Sequence, residues 1–118
     1  MVNYHQSLFD KLKTSFPDIR VEYELFVDSS TPLPCITYMG ANNMSYLKGD
    51  TLQFSNLSYY IKVWGNSLSE TLPIMERVDD KMREWGFTRE SSNELSFNTK
   101  ICLISLYSGI GYEKETEN

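Results

Sequence analysis

One stretch, Ser58 to Gly86, limits what this chain can fold into more than any other. Its first part, Ser58-Tyr59-Tyr60-Ile61-Lys62-Val63-Trp64-Gly65, is aromatic and β-branched, which suits a pleated and largely buried surface. Its second part carries Leu68, Leu72, Met75, Val78, Met82 and Trp85 at spacings of three and four, which predicts one apolar helical stripe. Ser67 and Glu70 form the S-x-x-E pattern of a capping box, and Gly86 stands where a helix ends in a left-handed residue. A strand running straight into a helix is therefore expected, with other strands pairing around it and the helix covering one face.

The flanking segments follow the same logic. Tyr4, Leu8, Leu12 and Phe16 recur every fourth residue with Phe9 beside them, so Asn3 to Phe16 reads as a helix that Pro17 and Asp18 stop. Ile19 to Phe26 alternates apolar and charged residues, as a strand with one wet face does. Asp28 to Pro34 reads as a loop, since Pro32 and Pro34 cannot donate to a ladder. Cys35 to Met39 reads as a strand, Gly40 to Ser45 as a turn or bulge, and Tyr46 to Gln53 as an irregular β-excursion with a bend at Lys48-Gly49-Asp50. Asn56 is expected to turn the chain into the Ser58 strand. Beyond Gly86, Phe87 to Glu90 reads as a short strand and Ser91-Ser92-Asn93-Glu94 as a turn. Ile101 to Tyr107 is too continuously apolar for a surface strand and implies cover on both faces. The fold class is α+β, a largely antiparallel or mixed sheet with two helices packed against it, an α/β sandwich. Residues 1–112 read as a single domain and 113–118 as a mobile acidic tail.

Charge and composition bear on function. The net charge of −5 argues against a nucleic-acid binder, whose footprint is a basic face, but suits a surface that DNA slides past without adsorbing. Two cysteines, Cys35 and Cys102, are too few for a disulfide framework, and both fall in strands, where a small buried apolar role is expected. No apolar run resembles a signal peptide or reaches membrane-spanning length, so a reduced cytoplasmic origin without membrane contact is expected.

Catalysis finds little support. His5, the single histidine, has no Cys, Asp or Glu at ligand spacing, and the glycines form no phosphate loop. No metal or cofactor is expected. Glu76, Asp79 and Asp80 are interleaved with Arg77, Lys81 and Arg83 and read as a solvated polar helix face. The aromatics say more. With eight Tyr, six Phe and two Trp, residues such as Tyr46, Phe54, Tyr59, Tyr60 and Trp64 exceed what one small core needs. Adjacent Tyr59 and Tyr60 face opposite sides of the sheet, so one helix layer cannot cover both. Core packing is one reading, and a face used by a partner chain is the other. The candidate contact residues are Asn42, Asn43, Met44, Tyr46, Leu47, Leu52, Phe54, Tyr59 and Tyr60, several of them in a loop longer than hairpin connections usually are.

Thr31-Pro32-Leu33-Pro34-Cys35-Ile36-Thr37-Tyr38 resembles the T-P-x-P-x-I-x-Y opening of small tail-completion proteins from long-tailed bacteriophages. The strand Tyr60 to Gly65 followed by Ser69-Glu70 and a helix resembles their centre, and the likeness runs from about Leu8 to Tyr112. The resemblance implies a tail terminator, which is not an enzyme: a ring, usually hexameric, that caps the tail tube, stops its polymerisation and offers a docking face for the head connector. It implies a place at the head-proximal end of the virion tail, with assembly in the host cytoplasm. Glu70, Glu76, Asp79 and Asp80 would then face water or the channel. A head-side connector or stopper is the alternative of the same kind. From another class, a small ligand-binding or enzymatic α+β domain stays open, and it would need a pocket with convergent polar groups.

Overall fold

The computed structural model describes residues 4–23, 31–41, 44–48, 51–97 and 100–111. Their order is α1 (Tyr4–Ser15), β1 (Arg20–Tyr23), β2 (Cys35–Gly40), β3 (Met44–Lys48), β4 (Thr51–Gly65), α2 (Leu68–Glu84), β5 (Thr88–Phe97) and β6 (Lys100–Gly111). This is an α+β fold with both helices packed against a mixed sheet. The sheet runs β1-β2-β4-β6-β5, with β3 attached to β4 off that path. Only β1 and β2 are parallel; the remaining described pairs are antiparallel.

The strand-to-helix passage is built as its residues demand. The Ser67 hydroxyl accepts from the Glu70 amide at 3.2 Å, while Glu70 Oε1 accepts from the Asn66 amide at 2.8 Å, so the returning half of the box lands one residue early. Gly65 is needed because the helix start folds back onto it: a Cβ there would strike Thr71 Cγ2 and come within 2.7 Å of Glu70 Oε1. At the far end Gly86 takes φ +92, its amide bonds the Arg83 carbonyl, and the Phe87 amide bonds that of Met82. That pair of bonds is a Schellman stop.

The core lies between the helices and one face of the sheet. Leu8 and Leu12 of α1, Phe16 just after it, and Met75, Val78 and Met82 of α2 form one buried cluster with Val21, Ile36, Tyr38, Tyr59, Ile61, Val63, Leu103 and Tyr107 of the sheet. Arg77 ties the helices together: its guanidinium sits 4.6 Å from the Phe16 ring centroid, and Nη2 donates to the Ser15 carbonyl at the C-terminus of α1.

Four sequence expectations need correction. Leu68 and Leu72 do not join the stripe; they are 41% and 45% exposed, and Thr71 and Ile74 are buried instead. Asn56 makes no turn, because β4 is continuous from Thr51 to Gly65. Ser91 to Glu94 make no turn either. They lie inside β5, where the long apolar β6 imposes its ladder, and the irregularity falls between Arg89 and Ser91. Gly40 extends β2 rather than opening a turn. Asn42, Asn43, residues 24–30, the Gly49-Asp50 bend and the 113–118 tail lie outside the described residues.

Candidate association surface

Alternation along β4 and β6 sends Tyr59, Ile61, Val63, Leu103, Ser105 and Tyr107 to the helices. The intervening residues form a second face, on which no described element packs. Three register rows cross it. Cys35, Trp64, Cys102 and Leu95 share one; Thr37, Lys62, Ile104 and Asn93 the next; Met39, Tyr60, Leu106 and Ser91 the third. Met39, Tyr60, Trp64, Ile104 and Leu106 are half-buried there, and Leu95 is exposed. A monomer rarely leaves an apolar face uncovered, and among the described residues no element covers this one.

This face has its own local order. Trp64 Nε1 donates to Thr37 Oγ1 at 3.1 Å, so the indole leans across β2 instead of standing off the sheet. Beside it, Cys35, Thr37 and Cys102 are buried although they lie outside the core cluster. Burial pushes the Cys35 thiol up to about 11 and the Cys102 thiol up to about 12, so both stay protonated at neutral pH. Their strands are separated by β4, which places the two thiols beyond disulfide reach.

The second candidate surface is an arm. Among the described residues β4 pairs with β6 from Ser55 inward, and its Thr51 to Phe54 part pairs with β3 alone. Tyr46 pairs with Phe54 and Leu47 with Leu52, the ladder passing over Gln53. This two-stranded ribbon runs off the end of the sheet. The molecule measures 52 × 25 × 23 Å, with a radius of gyration of 15.3 Å. A compact domain of this length has a radius near 13–14 Å.

The structure thus divides the residues singled out from the sequence. Met44, Tyr46, Leu47, Leu52 and Phe54 lie on the arm, and Tyr60 on the open face. Tyr59 is a correction: it is 1% exposed within the core, edge-on to the Phe87 ring at 6.1 Å, and is lost to any contact surface. Of the four acids, Glu70 serves the helix cap, while Glu76 and Asp80 are exposed. Asp79 departs from a solvated face: it is 19% exposed, receives the Tyr107 hydroxyl at 3.2 Å, and meets Arg83 at 2.9 Å and Arg89 at 3.6 Å. Burial, then the Asp79 charge, push the Tyr107 hydroxyl well above its usual range. The cluster fastens α2 to β5 and β6.

Among the described residues no group of three His, Cys, Asp or Glu could hold a metal ion, and no helix is long and apolar enough to cross a membrane. Sequence reasoning missed Met39, Lys62, Ile104 and Leu106 as surface candidates; strict alternation along β4 from Ile61 and Val63 would have found Lys62, whereas Met39, Ile104 and Leu106 follow only from the register with β2 and β6. No family model and no curated protein sequence matches the chain.

Proposed function

We propose that this protein is an assembly adaptor of the tail-terminator kind, a ring subunit that caps a phage tail tube, ends its growth and presents a docking face to the head connector. The arm carries this reading. A two-stranded ribbon is at best marginally stable alone in water, and this one is rich in apolar residues, Met44, Tyr46, Leu47, Leu52 and Phe54. It fits a role of reaching a neighbour. The apolar face that no described element covers offers a second, different surface, as a subunit of a closed ring requires. The resemblance around Thr31 to Tyr38 and Tyr60 to Gly65 supplies the identity of the assembly, and the acidic net charge of −5 suits a conduit for DNA.

The test removes the arm and keeps the sheet. Met44 and Asn56 are register partners, so replacing residues 45–55 by Asn-Gly closes a two-residue hairpin across them. The shortened chain is expected to fold and melt as a single domain, and to fail to cap tubes. Phages lacking the protein should carry tails of uncontrolled length in electron micrographs. Tails of normal uniform length in their absence would refute the assignment.

A further inference from the structure

Helix α2 carries two leucines that stay outside the core. Leu68 and Leu72 are exposed, one turn apart, and Glu76 continues the same line. The line lies on the β5 side of the helix, because neighbouring Asp79 reaches Tyr107 on β6 and Arg89 on β5. Strand β5 gives it no cover, being exposed from Thr88 to Ser96. The result is an apolar ridge that ends in an acid.

The open sheet face is its complement. Lys62 stands at the middle, with Tyr60 and Trp64 along its strand and Thr37 and Ile104 across the ladder. An apolar face with a central cation calls for an apolar partner carrying an anion.

We propose that these are two halves of one contact: the α2 flank of one copy lies on the open sheet face of the next. Leu68 and Leu72 meet Tyr60, Trp64, Ile104 and Leu106, and Glu76 comes beside Lys62. The proposal rests on the adaptor reading and names its copy-to-copy contact. Three observations select a second copy as the occupant. The charges are complementary. The continuous apolar run Ile101 to Leu106 demands cover on both faces, and a helix from a neighbour supplies the missing layer. A two-fold pairing of open face on open face would set Lys62 against Lys62. Because the two surfaces differ, the contact is head-to-tail and repeats into a ring or a filament.

Sedimentation of four samples tests this: wild type, Leu72→Asp, Lys62→Glu, and an equimolar mixture of the two variants. Both substitutions lie outside the core, and a melting curve confirms that each variant folds. Wild type is expected to form oligomers at high concentration, and each variant alone to bind itself about tenfold or more weakly. The mixture is expected to stop at dimers, since only the flank of the Lys62→Glu copy and the face of the Leu72→Asp copy remain intact. A chain with both Lys62→Glu and Glu76→Lys should regain assembly. Wild type that stays monomeric at millimolar concentration overturns the contact, as would happen if another protein or the chain's own tail covers the face. Dimers of Leu72→Asp alone overturn it in favour of face-on-face pairing, and a monomeric mixture overturns it as well. Failure of the adaptor reading looks different: uniform tails in phages lacking the protein, whatever the oligomer.

Discussion

Ile61 and Lys62 are neighbours on β4, yet one lies sealed beneath the helices and the other on a face that no described element covers. The same strands build both faces. On the helix side, burial comes from a second layer: α1 and α2 bring Leu12, Phe16, Val78 and Met82 down onto Val21, Ile36, Ile61 and Val63. On the far side burial is local, with Trp64 laid across its neighbours, and it protects only the short side chains Cys35, Thr37 and Cys102. A sheet strand is thus a single chemical object with two fates. One face is sealed by the helices, and no described element covers the other.

A matched pair of truncations puts the largest strain on this contrast. Ile61→Ala removes a fully buried side chain next to α2 and is expected to cost about 2–5 kcal/mol. Ile104→Ala makes the same change on half-buried Ile104, one row across on the open face, and is expected to cost about 1 kcal/mol in the isolated chain. Urea denaturation measures both. Equal losses would mean that the open face is already covered in solution. If losses become equal only at concentrations where the protein associates, the copy-to-copy contact is supplying that cover.

How much of this was legible in the residues depends on whether a local rule or a neighbour decided the outcome. The α2 caps at Ser67 and Gly86 were readable because capping is a short-range hydrogen-bond problem. The strand centres at Cys35 to Met39 and Ile101 to Tyr107 were readable because β-branched and aromatic runs suit a pleated surface. The stripe of α2 was misjudged at its start, since periodicity assigns Leu68 and Leu72 to an azimuth without knowing what lies opposite them. Thr71 was passed over as polar, yet its hydroxyl is satisfied by the Ser67 carbonyl at 3.1 Å and its methyl packs inward at Gly65. Ser91 to Glu94 carry turn chemistry, and only the β6 ladder makes them a strand. For the site, Tyr60 and the arm were visible as surplus aromatics, whereas Tyr59 was kept as a contact candidate beside Tyr60 because adjacency gives opposite faces without saying which is which. Lys62 went unnoticed, since its position matters only once the apolar residues around it are placed.

The thiols test whether Trp64 alone protects the open face. Cys35 and Cys102 are buried and held protonated, so thiol reagents at neutral pH should modify neither in the native protein. Trp64→Ala should make both react at rates approaching those of the unfolded chain, while far-ultraviolet circular dichroism stays native. The sign of the pH effect follows from the direction of the shifts. A thiol ionises more readily in the unfolded chain, near 9.0, than in the folded one, near 11 or 12. Its protection therefore contributes full stability below about pH 9, and that contribution is lost as pH rises through the folded values. Stability should fall between pH 9 and 12, and Cys35→Ala with Cys102→Ala should flatten the part of the decline due to thiols. A slope in that range unchanged by the double substitution would mean that the thiols do not couple to folding.

Thr37→Val is the smallest change and the sharpest about mechanism. Valine keeps the shape of a nearly fully buried side chain and removes only the acceptor for Trp64 Nε1. The indole is half-buried, so water can take over its N–H, and the expected cost is about 1 kcal/mol. The more telling readout is orientation. With the tether gone, the indole should swing off β2, its emission should shift to the red, and Cys35 should become modifiable while the core residues beneath the helices stay protected from exchange. Unchanged emission and an inert Cys35 would mean that packing on the sheet is enough to hold the ring down. The open face would then owe its order to shape, and the hydrogen bond would only record where the indole already lies.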